Sequence, residues 1–470
     1  MEKYDLIVIG AGPGGYPAAI RAAQLGASVA IVEKEALGGT CLNWGCIPTK
    51  TLIASAVLYW HMRHAQALGV SVEKVLFDYA AMIQHKNQVV AKLRGGIAQL
   101  LKANGVTVFE GMAAFMTRNR LTIQRNGKES VALEAARIII AAGSSAVLPA
   151  FLPKAASVVE SRAFLDLPRL PARLIVLGGG VIGCELACMA AQLGAQVTIV
   201  EILDDILVML DADLRTEARR YMENQLKIRI LTGKPLEQIK AGAQGVKGQV
   251  AGEGIEAELL LAAVGRQPVT EQLALDKAGL KPNAKGYIEV NAVGQTPSAG
   301  IYAIGDVNGG PQLAHAATAQ GLLAAEHAVK PRLTLRAQVV PSCIFTAPEI
   351  AVVGLSEQDA KQQNRAVKTG KFHFAALGKA VASGETTGFV KWIVDADTDQ
   401  LLGAAAIGAH ATELIATAVT AVQAELTAAE FARTIQAHPT LSEAWMEAAH
   451  AVHGQCIHAP PRRKHVERKA

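Results

Sequence analysis

The chain is poor in cysteine and aromatics and has no long apolar run. Six cysteines among 470 residues exclude a disulfide-rich secreted scaffold. No stretch of about 20 consecutive apolar residues occurs, so no membrane-spanning helix is expected. The first ten residues, MEKYDLIVIG, run straight into a strand and lack the charged and apolar regions of a signal peptide. A cytoplasmic protein is expected, in a compartment where disulfides tend to be transient and catalytic. Aromatics at 4% beside 43 glycines suit closely packed α/β layers. A chain of this length exceeds one ordinary core, and two to four domains are expected.

Excess charge is confined to one place. The formal net charge is +5, but the last nine residues, RRKHVERKA, hold five Lys or Arg against one Glu. Without them the body is close to neutral, which argues against nucleic acid as a partner. The segment near 459–470 reads as a solvated, disordered end, with contact to a membrane or RNA as the alternative.

What the chain does have is a repeat. AAQLGASVAIVE (22–33) and AAQLGAQVTIVE (190–201) match almost letter for letter at an offset of 168. Each follows a glycine-rich turn: Gly10, Gly12 and Gly15 in IVIGAGPGGY, and Gly178, Gly180 and Gly183 in IVLGGGVIGCE. In each copy an acidic residue, Glu33 or Glu201, lies 23 positions after the first glycine. A β-branched strand, a glycine turn, an alanine-rich helix and a strand tipped with Glu form the dinucleotide-binding context. The first glycine turns the chain tightly and the second lets a pyrophosphate approach the backbone. The third packs helix on strand, and the helix N-terminus offers free N–H groups to phosphate. The carboxylate suits a ribose 2′-hydroxyl. Two such units imply two dinucleotides, and a flavin with a nicotinamide is the natural redox pair. A 2′-phosphate at Glu201 would face a carboxylate, and the following ILDD supplies no Arg, so NAD is favoured over NADP.

GGTCLNWGCIPTK (38–50) places Cys41 and Cys46 five apart. In an unbroken helix their Cα atoms would lie roughly 7.5 Å apart, beyond the usual span of a disulfide. Gly38, Gly39 and Gly45 could supply the distortion that pairing needs. Two readings stay open for the pair: idle thiols, or a strained, reducible disulfide that carries electrons. Cys184 and Cys188, at i and i+4 inside the second glycine-turn helix, read as packing residues, and Cys343 and Cys456 have no evident partner. A thiol needs a base to act near neutral pH. In AHPTLSEAWMEAAHAVHG, His438 precedes a proline and Glu443 follows five residues later, close enough to orient the imidazole.

Together these residues resemble the pyridine nucleotide–disulfide oxidoreductase family, and most closely its dihydrolipoamide dehydrogenase branch, over essentially the whole chain. GGTCLNWGCIPTK and HPTLSE carry the resemblance most specifically; IYAIGDV, LAHAATAQG and AAVGRQP add to it. It implies an α/β fold with two Rossmann-like domains and a C-terminal α+β interface domain. The expected boundaries are FAD domain 1–147, NAD domain 148–268, FAD-domain return segment 269–338 and interface domain 339–470. FAD would be held by Gly10, Gly12, Gly15, Glu33, Lys34, Gly39, Thr40, Lys50, Gly143 and Asp306, with Gln312, Leu313, Ala314 and His315 near the flavin. NAD would be held by Gly178, Gly180, Gly183, Glu201 and Gly265; no metal is expected.

Cys46 would be the flavin-proximal thiol and Cys41 the interchange thiol, with Lys50 by the flavin and paired with Glu185. His438 and Glu443 would reach the disulfide of the other subunit of a homodimer. The implied reaction oxidises a dihydrolipoyl group, with electrons passing through Cys41–Cys46 and FAD to NAD⁺. Partners would be lipoyl-carrying proteins: the E2 core of 2-oxo acid dehydrogenase complexes, or the glycine cleavage H-protein. No lipoyl-like domain precedes Met1, so that carrier is expected to be a separate chain.

Three departures stand out. Trp44, between the cysteines, replaces a small aliphatic residue and could narrow access or pack outward. AAGS (141–144) lacks the usual threonine hydroxyl, and Pro17 falls in the first nucleotide helix. The alternatives are a glutathione- or mercuric-reductase-like enzyme, or chiefly an assembly component of a multienzyme complex. Glu201 and Ala444 oppose the glutathione-reductase reading, the lack of a vicinal C-terminal cysteine pair opposes the mercuric-reductase one, and the set Cys41, Cys46, His438, Glu443 and Lys50 argues for catalysis over an assembly role.

Overall fold

Leu6-Ile-Val-Ile9 is a β-branched run buried on both faces, as expected of a strand inside a parallel sheet covered by helices. In the computed structural model, which describes residues 1–125, 127, 129–331 and 338–460, this run ends strand β1 (Glu2–Ile9). Helix α1 (Gly15–Gln24) and strand β2 (Val29–Glu33) follow, and β2 pairs parallel with β1. Pro17 is the third residue of α1, where a missing N–H removes no intrahelical bond. The sheet order is 107–110, 29–33, 2–9, 131–140, 120–124, 112–117. Strand Val131–Ile140 is antiparallel to Arg120–Gln124 near its start, while its end pairs parallel with Ile301–Ala303. Residues 301–303 thus return to the first sheet after the chain has built a second one.

That second sheet is wholly parallel, in the order 229–231, 196–200, 173–177, 259–262, 158–160. Its central helix, Val181–Gln192, is buried along nearly its whole length. A short antiparallel pair, 144–146 with 266–268, stands where the chain leaves and re-enters the first unit. A third, antiparallel sheet runs 342–344, 349–354, 401–408, 388–395, 367–373. Against it lies helix Glu443–Val452, so close that a Cβ on Gly370 would meet the Ala448 carbonyl at 2.0 Å. Trp392 and Trp445 are fully buried there, and the Trp392 indole donates to the Trp445 carbonyl at 2.9 Å. Burying two indoles removes a few hundred Å² of apolar surface from water and fixes the start of the helix that carries Glu443.

An ion cluster joins the second unit to the third. Lys391, 1% exposed, donates to Asp211 at 2.9 Å, Asp213 at 3.0 Å and Glu357 at 2.7 Å, while Lys371 pairs with Asp213. Burial alone would lower the Lys391 pKa, but Glu357, Asp211 and Asp213 outweigh it and raise it. Among the described residues no helix is long and apolar enough to cross a membrane. The basic stretch 461–470 lies outside the described residues.

Candidate active site

The sequence repeat is a repeat of contacts. Gly10 and Gly178 have φ of +96° and +109°, and a Cβ on either would strike a carbonyl of the neighbouring strand end, Ala141 or Ala263. A Cβ on Gly15 would lie 1.8 Å from the Gly10 carbonyl, and one on Gly183 would lie 2.1 Å from that of Gly178. Glu33 accepts the N–H groups of Ala11 and Glu35, at 2.8 and 2.9 Å. Glu201 accepts those of Gly179 and Leu203, at 2.6 and 2.8 Å. Each carboxylate therefore pins its own glycine turn with one oxygen and the chain beyond the strand with the other. Lone pairs remain on both for ribose hydroxyls.

The helix between the cysteines is broken. Helix α2 (Gly39–Trp44) ends at Gly45, whose φ of −137° and ψ of −109° depart from helical values, and α3 (Cys46–His64) starts anew at Cys46. Gly38 and Gly39 both take positive φ, and a Cβ on Gly39 would lie 2.7 Å from the Gly12 Cα. The cysteine helix is thus docked directly on the first glycine turn. The Asn43 amide donates back to the carbonyls of Leu37 and Gly39, at 3.0 and 2.9 Å.

Cys41 and Cys46 are both free thiols here, hydrogen-bonded to one another. That bond from Cys41 lowers Cys46 to about 7; partial desolvation opposes it and the Lys50 charge assists. Cys41, the donor and half-buried, is pushed up. The pair therefore holds one thiolate and one thiol near neutral pH. The other cysteines are poor nucleophiles. Burial raises Cys184, raises Cys188 to about 12 and raises Cys343 to about 11. Desolvation, with the hydrogen bond it donates to Glu447, raises Cys456 to about 11.

Lys50, one turn into α3, donates to both oxygens of Glu185, at 2.9 and 2.7 Å. Glu185 also accepts the backbone N–H of Phe345 at 2.8 Å, and the Lys50 ammonium sits 4.5 Å from the Phe345 ring centre. One ion pair thus gathers residues from all three sheets' units around the dithiol.

A single cavity of about 930 Å³ runs past these groups. Its walls include Gly10, Gly12, Glu33, Lys34, Gly39, Thr40, Cys41, Cys46, Lys50, Gly143, Glu185 and Asp306, with Gln312, Leu313, Ala314 and His315 at one end. Gly15 lies behind the wall in helix packing. Gly178, Gly180, Gly183, Glu201 and Gly265 form the second turn, outside the lining, although Val181 and Ile182 beside them reach it. Glycine backbone, a ribose-type carboxylate and a cleft of this volume fit a dinucleotide.

His438 and Glu443 are not brought into this cavity. The His438 Nδ1–H donates to Glu443 at 2.8 Å, which leaves Nε2 as the basic nitrogen, and the imidazole is 77% exposed. Burial would raise the Glu443 carboxyl, but His438 and the Thr440 N–H hold it below its ordinary value.

Several lining residues escape sequence reasoning. Ser144, in the departing AAGS, donates to Asp306 at 2.5 Å and accepts from Arg266 at 2.7 Å, so a hydroxyl does serve this corner. Phe345 follows no motif. Trp44 neither fills the space between the thiols nor stands free: the Arg162 guanidinium stacks 3.8 Å from its ring centre. AAVGRQP pointed to Gly265, while its Arg266 is the residue that contacts the wall.

Comparison with known proteins agrees with this layout. Residues 4–321 match the family described as pyridine nucleotide-disulphide oxidoreductase, and residues 340–449 match its dimerisation domain. The chain is 40% identical to a dihydrolipoyl dehydrogenase of Chlamydia pneumoniae over 461 residues, covering 98% of this chain and 99% of the relative. It is 42% identical to the Thermus scotoductus dihydrolipoyl dehydrogenase over 464 residues, covering 97% and 99%. Among solved structures it resembles LpdA from Mycobacterium tuberculosis, with a TM-score of 0.88 at 28% identity, covering 96% and 99%. It also resembles a Cu(II) complex of the HOCl-induced flavoprotein disulfide reductase RclA from Escherichia coli, with a TM-score of 0.86 at 29% identity, covering 96% and 99%.

Proposed function

Because the chain belongs to the pyridine nucleotide-disulphide oxidoreductases, we propose that it is a dihydrolipoyl dehydrogenase, an FAD- and NAD-dependent homodimer. The observation that carries the reading is identity of about 40% with enzymes of that name along the full length of both chains, joined to a dithiol facing the dinucleotide cavity. The chemistry follows from the side chains. In the oxidised state Cys41 and Cys46 share a disulfide. His438 Nε2 takes the proton of one substrate thiol, and the resulting thiolate attacks the Cys41 sulfur, so that Cys46 leaves as thiolate. The second substrate thiol then attacks the substrate sulfur of the mixed disulfide and passes its proton to the departing Cys41 sulfur, while His438 holds the first proton until it is released to solvent. Cys41 is released as a thiol and the substrate leaves as a cyclic disulfide. FAD held along Gly10, Gly12 and Glu33 would supply the two-electron redox chemistry that links the dithiol to NAD⁺.

The depressed Cys46 favours its role as leaving group, since a lower thiol pKa leaves faster. Lys50, held by Glu185, supplies the positive charge beside that thiolate. His438 stands exposed and away from the cavity of its own chain, which supports its serving the dithiol of the partner subunit. Partners would be lipoyl carriers, either the E2 core of a 2-oxo acid dehydrogenase complex or the glycine cleavage H-protein. A reducing cytoplasm suits a dithiol that must cycle.

The test is an anaerobic assay of the purified flavoprotein with dihydrolipoamide and NAD⁺. Parallel trials use glutathione disulfide with NADPH, Hg(II) with NADPH, and Cu(II) with NADH. NADH formation confined to the first pair, and abolished by Cys41→Ser, supports the reading. Turnover only with another pair moves the chain to that branch. No turnover despite bound flavin, with multienzyme partners still held, leaves an assembly role instead.

A further inference from the structure

Trp44, Arg162 and Glu35 take part in no step above, yet all three line the same cavity as Gly10, Gly12 and Thr40. Trp44 is the last residue of α2, one turn beyond Cys41. Glu35 follows β2, and its backbone N–H is held by Glu33, the carboxylate that pins the first glycine turn. Arg162 comes from the other nucleotide-binding unit, in the short helix Ser161–Phe164 after the edge strand Val158–Glu160. Glu160 caps that helix by accepting the N–H groups of Arg162 and Ala163, at 2.7 and 3.0 Å, which fixes the base of the arginine. Its guanidinium carbon lies 3.8 Å from the Trp44 ring centre, and Nη1 donates to Glu35 at 2.9 Å. The planar cation is thus gripped on one side by an aromatic face and on another by a carboxylate. Lysine would lack the flat stacking surface.

We propose that Arg162 is a clasp that closes the second unit over the glycine-turn end of the first unit's cofactor site, with Trp44 and Glu35 as its jaws. It is a positioning residue that sets how fast FAD leaves. The inference rests on the flavoprotein reading and adds to it a residue that the sequence motifs do not mark. It also gives the bulky residue between the cysteines a task. A small aliphatic residue at 44 would offer the guanidinium no π-face, so Trp44 and Arg162 work only together. Either contact alone, exposed as it is, is worth a factor of a few, and the two together about tenfold.

The test uses the flavin-loaded enzyme and follows FAD release on dilution by the rise in free flavin fluorescence. Arg162→Ala, which loses both contacts, should release FAD about tenfold faster, and Trp44→Val, which loses one, a few-fold faster. The double variant should release it little faster than Arg162→Ala alone, because Trp44 acts through Arg162. Trp44→Phe, which keeps an aromatic face, should restore most of the retention, and Glu35→Gln should give a smaller loss. Single variants with unchanged release, or two effects that simply multiply in the double variant, overturn the clasp. A wild-type protein that carries no flavin overturns the flavoprotein reading and the clasp with it. A loaded wild type with unaltered variants overturns the clasp alone.

Discussion

The dithiol offers the sharpest quantitative check, because its asymmetry comes from one hydrogen bond. Cys46 is lowered from an ordinary thiol value to about 7, first by the Cys41 thiol and then by Lys50. At pH 6 the thiolate fraction of Cys46 is then about 9%, against about 0.1% for a thiol that titrates near 9. Alkylation runs through the thiolate, so Cys46 should react with iodoacetamide with an inflection close to pH 7. Cys41→Ala removes the donor. A hydrogen bond to a charged group is worth roughly 1.5–3 kcal/mol, which displaces a pKa by about one to two. The inflection of Cys46 should therefore climb to about 8–9, and at pH 6 its rate should fall about 10- to 100-fold.

The sign is fixed: losing a donor that favours the thiolate raises the pKa, so reactivity is lost at low pH and recovered as pH rises. The assay is a pH series on the pre-reduced protein, with the alkylated peptide identified by mass spectrometry. Cys343 and Cys456, raised to about 11, serve as slow internal references. A wild-type inflection near 9, or one that Cys41→Ala leaves in place, would refute the hydrogen-bond account of the pair.

Two further outcomes follow from groups outside the cavity. Lys391→Met bares Asp211, Asp213 and Glu357 to one another with only Lys371 nearby, and breaking a buried pair of this kind costs about 3–5 kcal/mol. The amides of Glu357 and Gln358, which donate to Asp211, should then exchange hydrogen roughly 10²–10⁴-fold faster than in wild type at pH 7. Acid relieves repulsion among carboxylates left without their ammonium, so the ratio should shrink as pH falls toward 5; equal ratios at both pH values would rule out the charge argument. Glu443→Gln leaves an acceptor for His438 but removes the charge opposite the imidazole. Dihydrolipoamide turnover should fall about 10- to 100-fold in kcat, and a change within twofold would remove Glu443 from the proton-transfer pair.

What was legible in the sequence was local, and what was hidden was joined across the fold. The paired glycine turns could be read because each performs its task within about 24 residues. Even so, the sequence did not show that Glu33 and Glu201 spend two acceptor sites on backbone N–H groups before meeting any ribose. The break between the cysteines was legible too, since five residues of straight helix are too long for a disulfide and Gly45 stood between them. Arg162, Phe345, Ser144 and Lys391 were not, because each acts on a residue more than a hundred positions away and carries no periodicity of its own.

The same division explains why Trp44 was ambiguous. Read alone it was a bulky intruder beside two thiols, and only a cation arriving from a separate sheet turns it into a contact. His438 makes the complementary case. Its motif was visible, but not that it would lie exposed and apart from the cavity of its own chain, which favours the proposed role at the dithiol of a second chain. On the proposed reading dimer formation would be a requirement of proton transfer, and mixed dimers of Cys41→Ser and His438→Gln chains should regain one working site per dimer.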